Sequence, residues 1–360
     1  MKIGIDARFY NESGVGRYLR NLIQELKDLD KNNEYFIFLL PKDVNEFQET
    51  KNFRKVEANF AWYGFAEQFQ FPKLLKKNSL DLVHFPHFNV PVFYPGKFIV
   101  TIHDLIHQHF SMKRATVLNP FAFKIKQFGY KKVFKNAVSK SCKIMVPSNS
   151  VRKLLEDEWK VDSGKIIITP EGVDAVFLKG SVKPKIKSPY IFYVGNAHPH
   201  KNVEGLITAY LKLREKDHDL KLILTGGDSF FWQRIKKDHQ EVGIVYTGSV
   251  SDENLVALYK NALCLVVPSF EEGFGLPILE AFASGCPVAA SRVASLPEVG
   301  GNAVLYFDPS SISDMIDKVS RLLKNVSLRK KLIEKGKKRV KEFSWEKLAK
   351  QTLEVYGKCA

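Results

Sequence analysis

No apolar run in this 360-residue chain approaches the roughly 18 residues a helix needs to span a bilayer, so no membrane-crossing segment is expected. Cysteine is scarce: Cys142, Cys264, Cys286 and Cys359 are scattered, with no C-x-x-C spacing. That excludes a zinc ribbon or a disulfide scaffold, and the four thiols are expected to stay reduced in a cytoplasmic protein. The chain opens directly into a strand-like run, Lys2-Ile-Gly-Ile-Asp6, so no secretory leader is expected. Neither an internal repeat nor a low-complexity segment occurs. Acid is the other shortage, with 39 Asp and Glu against 55 Lys and Arg, a net charge of +16. Between Asp104 and Glu156 there is no acidic residue but eleven basic ones.

Such a balance favours anionic partners. Within the acid-free run, Pro120-Phe-Ala-Phe-Lys-Ile-Lys-Gln-Phe-Gly-Tyr-Lys-Lys-Val-Phe-Lys135 interleaves lysines with phenylalanines at roughly helical spacing. A basic amphipathic helix of this kind suits an anionic membrane surface, and the contact is expected over residues 113–143. The plainer alternative buries the phenylalanines in the core and leaves the lysines solvated. No RNA- or DNA-binding motif accompanies the charge, so a nucleic-acid partner is not expected.

Strand-length apolar runs alternate with helical patterns throughout. Ile3–Asp6, Tyr35–Leu40, Leu82–Phe85, Phe98–Asp104, Lys143–Pro147 and Ile166–Thr169 make a first set. Tyr190–Val194, Leu220–Thr225, Ile244–Thr247, Cys264–Val267, Val288–Ala290 and Val304–Phe307 make a second. Continuous apolar strands separated by helices predict parallel sheets covered on both faces. The fold class is therefore α/β, with two doubly wound, Rossmann-like domains facing a cleft. The Pro-, Gly-, Ser- and Lys-rich stretch 179–189 reads as the linker between a domain at 1–178 and one at 190–343. Ser344 is the expected N-cap of a final helix, 344–358.

The densest chemistry lies in Pro268-Ser-Phe-Glu-Glu-Gly-Phe-Gly-Leu-Pro-Ile-Leu-Glu280-Ala-Phe-Ala-Ser-Gly285. A buried strand leads into a glycine-rich loop; Pro277 opens a short helix and Gly285 ends it. Exposed helix N–H groups would meet an anion there, while Glu272 and Glu280 accept hydroxyl hydrogen bonds. A nucleotide-sugar carries both phosphates and hydroxyls. The segment resembles the E-x7-E signature of family-4 retaining glycosyltransferases of the GT-B type. That resemblance implies that Glu272, Gly273 and Phe274 meet the transferred sugar and Glu280 the nucleotide ribose. It also implies that Gly275, Leu276 and Pro277 meet the diphosphate.

The resemblance extends along the chain. Gly195-Asn-Ala-His-Pro-His-Lys201-Asn202 implies a diphosphate contact for Lys201 and resembles the mannosyltransferase B-like branch, pointing to GDP-mannose. Many members carry Arg where Asn196 stands. The Gly14-Val-Gly16 pair implies a loop closing over the donor, with Gly16 at the diphosphate. Thr101-Ile-His103-Asp104 ends a strand at the carboxyl edge, and the family's HD pair implies a catalytic place for His103 beside Asp104. Val250 is a further second-rank candidate. The final helix is implied to pack back on the first domain. Pro170-Glu171-Gly-Val-Asp174 matches a family turn and reads as structural.

Five histidines between positions 84 and 109 (His84, His87, His103, His107, His109) lack the pair spacing of a zinc site. The Asp28-Leu-Asp30 and Asp217-His-Asp219 pairs read as solvated helix ends. No metal and no cofactor are therefore expected. As a hydrolase pair, Glu272 and Glu280 would stand about 12 Å apart along a helix, whereas retaining hydrolases need about 5 Å. The expected activity is retaining, metal-independent transfer of a hexose to a glycan or lipid-linked acceptor in cell-surface polysaccharide synthesis, at the inner face of the membrane. A UDP-sugar donor, a nucleotide-sugar epimerase and a non-catalytic basic binding protein are the alternatives.

Overall fold

The computed structural model describes residues 1–109, 120–179 and 188–359. Most of the expected linker, 180–187, lies outside the described residues. So do 113–119 of the basic stretch, and the side chains of His107, Phe121, Phe123, Lys124 and Lys126. The chain forms two compact units: residues 1–105, 120–171 and 344–359 in one, 106–109 and 172–343 in the other.

The first unit holds a seven-stranded sheet. Its strands are β1 (Lys2–Asp6), β2 (Glu34–Leu39), β3 (Phe53–Glu57), β4 (Leu82–Phe85), β5 (Phe98–Thr101), β6 (Ile144–Val146) and β7 (Ile166–Ile168). They run parallel in the order β3-β2-β1-β4-β5-β6-β7. The second unit holds β8 (Tyr190–Val194), β9 (Lys221–Thr225), β10 (Ile244–Gly248), β11 (Cys264–Val267), β12 (Val288–Ser291) and β13 (Val304–Phe307). These are also parallel, in the order β10-β9-β8-β11-β12-β13. Along β8, Tyr190 and Phe192 enter one core while Ile191 and Tyr193 enter the other. Both faces are thus covered, which is why these strands read as unbroken apolar runs.

One strand escapes such reading. Phe-Arg-Lys-Val-Glu of β3 lies at the sheet edge, with only Phe53 buried, so it carries no apolar run. The cysteines also depart from expectation, because Cys142 and Cys359 form a disulfide across a separation of 217 residues, with Cα atoms 5.9 Å apart. Cys264 and Cys286 are free and buried, as apolar-run cysteines should be.

The disulfide ties down the last helix, Trp345–Cys359, which belongs to the first unit. Ser344 Oγ accepts from Lys347 N–H at 3.1 Å to start it. Tyr356 hydrogen-bonds the buried His84 at 2.9 Å. In the helix Pro120–Lys140, Phe134 packs on Trp159 and Phe88 in the core, whereas Phe128 is 72% exposed. Its lysines at 131, 132, 135 and 140 are exposed. The core reading therefore holds for Phe134, while Phe128 and these lysines face solvent.

Candidate functional site

In each sheet the strand order reverses once, between β1 and β4 and between β8 and β11. Loops leaving the carboxyl ends at such a reversal diverge to opposite faces and leave a crevice, the usual ligand position in open α/β sheets. In the second unit those loops are 195–202 and 268–275, which hold most of the donor-site candidates.

Their backbones are locked together. Asn202 sits in the left-handed region (φ 54°), and its Nδ2 donates to the carbonyls of Pro268 and Pro309, each at 3.1 Å. Phe270 N–H donates to His200 O at 2.7 Å. On this frame Lys201 Nζ lies 2.7 and 2.9 Å from the two carboxylate oxygens of Glu272. Ser269 Oγ donates to Glu272 Oε1 at 2.7 Å, and Ser295 Oγ donates to the carbonyls of Glu272 and Phe274. The ammonium and carboxylate are mostly buried, at 18% and 12% side-chain exposure, so their attraction is weakly screened.

Beside the pair begins the helix Leu276–Ala283, with Pro277 in its first turn. Gly275 precedes it at φ 121°, a conformation that a side chain would strain, and a Cβ there would lie 2.9 Å from Leu296. No side chain caps this helix start. Gly285 closes the far end in the left-handed region, φ 72°. Glu280 is buried and accepts from Tyr259 OH at 2.7 Å, a partner the sequence did not single out. The Phe274 ring is buried in the core against Phe343, leaving its backbone to shape the loop. Val250 and Leu276 also pack on that core. Asn196 is exposed, and its Oδ1 accepts from His198 N–H at 3.2 Å.

In the first unit, Gly14 and Gly16 lie inside the first turn of the helix Ser13–Leu29 rather than in a loop before it. Gly16 N–H donates to Glu12 O at 2.7 Å, and a Cβ at Gly16 would sit 2.6 Å from Tyr10 O, so only glycine fits. No side chain would crowd a Cβ at Gly14. After β5, His103 is held at both ring nitrogens, by Glu171 Oε1 at 3.1 Å and Pro86 O at 3.0 Å. Both partners are acceptors, so both contacts are hydrogen bonds when the imidazole carries both protons. Glu171 is therefore more than the turn residue its sequence context implied. Asp104 follows directly, half-buried.

Behind His103 runs a buried polar chain: Tyr18 OH to Thr101 Oγ1 (3.1 Å), Thr101 Oγ1 to His84 Nε2 (2.8 Å), His84 Nδ1 to Tyr356 OH (2.9 Å). Burial, aided by nearby His103, lowers the His84 pKa to about 3, so it stays neutral. Tyr18 also packs edge-on against His103, ring centroids 4.8 Å apart. Asp30 corrects the solvated-helix-end reading, since it is buried and accepts from Asn32 N–H, Asn33 and Tyr35 OH. Those hydrogen bonds outweigh the effect of burial and lower its pKa.

Residues 13–177 match the model described as Glycosyltransferase Family 4, and residues 177–339 the model described as Glycosyl transferases group 1. Over 172 residues the chain is 41% identical to O-antigen chain mannosyltransferase B of Escherichia coli, covering 46% of this chain and 45% of that protein. Over 221 residues it is 32% identical to MMP alpha-(1->4)-mannosyltransferase of Mycolicibacterium hassiacum, covering 60% and 53%. The matched stretches span about half the length of these curated relatives. Sucrose-phosphate synthase of Thermosynechococcus elongatus superposes with a TM-score of 0.78 at 19% identity, covering 99% of this chain and 98% of that one, and shares the fold.

Proposed function

The chain belongs to the family-4 glycosyltransferases of the GT-B fold, and we propose that it transfers mannose from GDP-mannose, with retention, to a glycan or lipid-linked acceptor of a cell-surface polysaccharide. The observation that carries this reading is the Lys201–Glu272 pair at the sheet reversal, beside an uncapped helix start. As the anomeric bond breaks, charge develops on the leaving diphosphate. A preorganised ammonium and the positive end of the helix Leu276–Ala283 stabilise that charge without rearrangement. Glu272, oriented by Lys201 and Ser269, accepts hydroxyl hydrogen bonds from the sugar. Glu280, held by Tyr259, does so for the ribose. In the first unit, His103 sits at a strand's carboxyl edge, oriented by Glu171, and serves the reacting sugar.

Mannose is supported by the Asn196-to-Asn202 segment and by the likeness to two mannosyltransferases. No divalent ion is required in this reading, because Lys201 and the helix start carry the diphosphate. The exposed lysines of the helix Pro120–Lys140 support docking on an anionic membrane surface, where a lipid-linked acceptor resides. A thermal-shift panel of GDP, UDP and ADP tests the donor: GDP raises the midpoint most. Stabilisation by UDP alone would replace GDP-mannose with a UDP-sugar.

A further inference from the structure

Eleven large apolar side chains are exposed among the described residues, and four of them cluster in the first unit. Tyr63 is 58% exposed, Phe65 87%, Phe69 52% and Phe93 59%. Phe65 and Phe69 begin and end a short helix, Phe65–Phe69, and Phe93 lies in the loop between β4 and β5. Phe69 and Phe93 stack, with ring centroids 4.9 Å apart, so the two segments form one surface.

The backbone beneath is braced rather than loose. Val92 N–H donates to Gln68 Oε1 at 2.8 Å, and Asn89 Nδ2 donates to Glu67 Oε1 at 2.6 Å. Glu67 is fully buried, forms an ion pair with the equally buried Arg8 at 2.7 Å, and accepts from Tyr63 N–H at 2.7 Å. That last bond holds Tyr63 in the left-handed region, φ 61°, which a tyrosine rarely adopts. Rings exposed on a braced frame mark an interaction surface.

Charge selects the occupant. Between Glu57 and Asp81, and again between Asp81 and Asp104, the only acid is Glu67, which is buried and paired. The same stretches carry exposed lysines at 73, 76, 77 and 97. A second copy of the chain would set these lysines against one another. An anionic bilayer would take the rings among its acyl chains and the lysines at its headgroups. The loop bearing Phe93 also bears Phe88, which packs on Tyr130 and Phe134 of the lysine-bearing helix Pro120–Lys140.

We propose that Tyr63, Phe65, Phe69 and Phe93 form a membrane-insertion surface for anionic lipid. The inference rests on the membrane-associated reading above and names a different set of residues as its apolar anchor.

The test uses the full chain and vesicles of phosphatidylcholine with or without phosphatidylglycerol. A Phe65→Trp variant should be quenched by lipids brominated on their acyl chains, and only when phosphatidylglycerol is present. Phe65→Ser/Phe69→Ser/Phe93→Ser should partition about 1000-fold more weakly than the parent, since each phenylalanine contributes roughly tenfold. Its thermal midpoint is checked, and the single Phe65→Ser variant, at the most exposed site, stands in where the triple variant fails to fold. A Lys131→Glu/Lys132→Glu/Lys135→Glu variant separates the two readings. If the serine variants partition like the parent while the lysine variant does not, the aromatic surface is refuted and membrane docking stands. Absence of parent binding to any vesicle overturns both, and a dimer abolished by Phe65→Ser without quenching assigns the patch to a second copy instead.

Discussion

Replacing Lys201 with alanine should weaken GDP binding far more than guanosine binding. The ammonium lies within 2.9 Å of both Glu272 carboxylate oxygens, at the reversal point of the second sheet. A diphosphate arriving there gains a charge-assisted contact worth about 1.5–3 kcal/mol, or roughly 10- to 150-fold in affinity. Guanosine has no phosphate and loses nothing directly. A second cost falls on the folded protein, because among the described residues Glu272 keeps only Ser269 Oγ as a side-chain donor. With both groups mostly but not fully buried, that cost sits below the 3–5 kcal/mol of a fully buried broken pair, at about 2 kcal/mol. Calorimetry with GDP and guanosine on parent and variant separates the two effects. A double-mutant cycle with Glu272→Gln then reports their coupling. Equal losses for nucleotide and nucleoside would show that Lys201 acts only by shaping the loop, and the diphosphate role would fall.

His84 is neutral and buried, with its pKa lowered to about 3, so the unfolded chain takes up a proton near pH 6.5 that the folded chain refuses. Its stabilising contribution is complete above that pH and falls by about 1.4 kcal/mol per pH unit down toward pH 3. His84→Asn should flatten the acid limb of a plot of thermal midpoint against pH, and an unchanged slope would contradict the assignment. The Cys142–Cys359 bond closes a loop of 217 residues, for which chain entropy gives at most about 5 kcal/mol. Cys359→Ser should therefore lower the midpoint and make the parent's sensitivity to dithiothreitol disappear; equal reductant sensitivity in parent and variant would refute the tether. Transfer activity should persist in excess EDTA, and a loss restored by manganese or magnesium would replace the metal-free mechanism.

Much of this was legible in the residues. Twelve strands announce themselves as apolar runs because both sheet faces are covered, and β3 hides because Arg54, Lys55 and Val56 alternate at a half-solvated edge. Pro277 and Gly285 mark the donor-side helix by the conformations they permit. Pairings across long separations were not legible. Lys201 and Glu272 are 71 residues apart, His103 and Glu171 68, and the bonded cysteines 217. No local pattern encodes such contacts; the sheet topology creates them. Asp30 misled for the opposite reason, since a helix-end aspartate looks solvated until Tyr35 and Asn33 close over it.

The central claim is retaining mannosyl transfer from GDP-mannose. Its most direct test is proton NMR of a reaction containing the full chain, GDP-mannose and octyl α-mannoside. An α-linked mannosyl product appearing together with GDP is the predicted outcome. A β-linked product, free mannose, or an epimerised nucleotide-sugar formed without acceptor would contradict it.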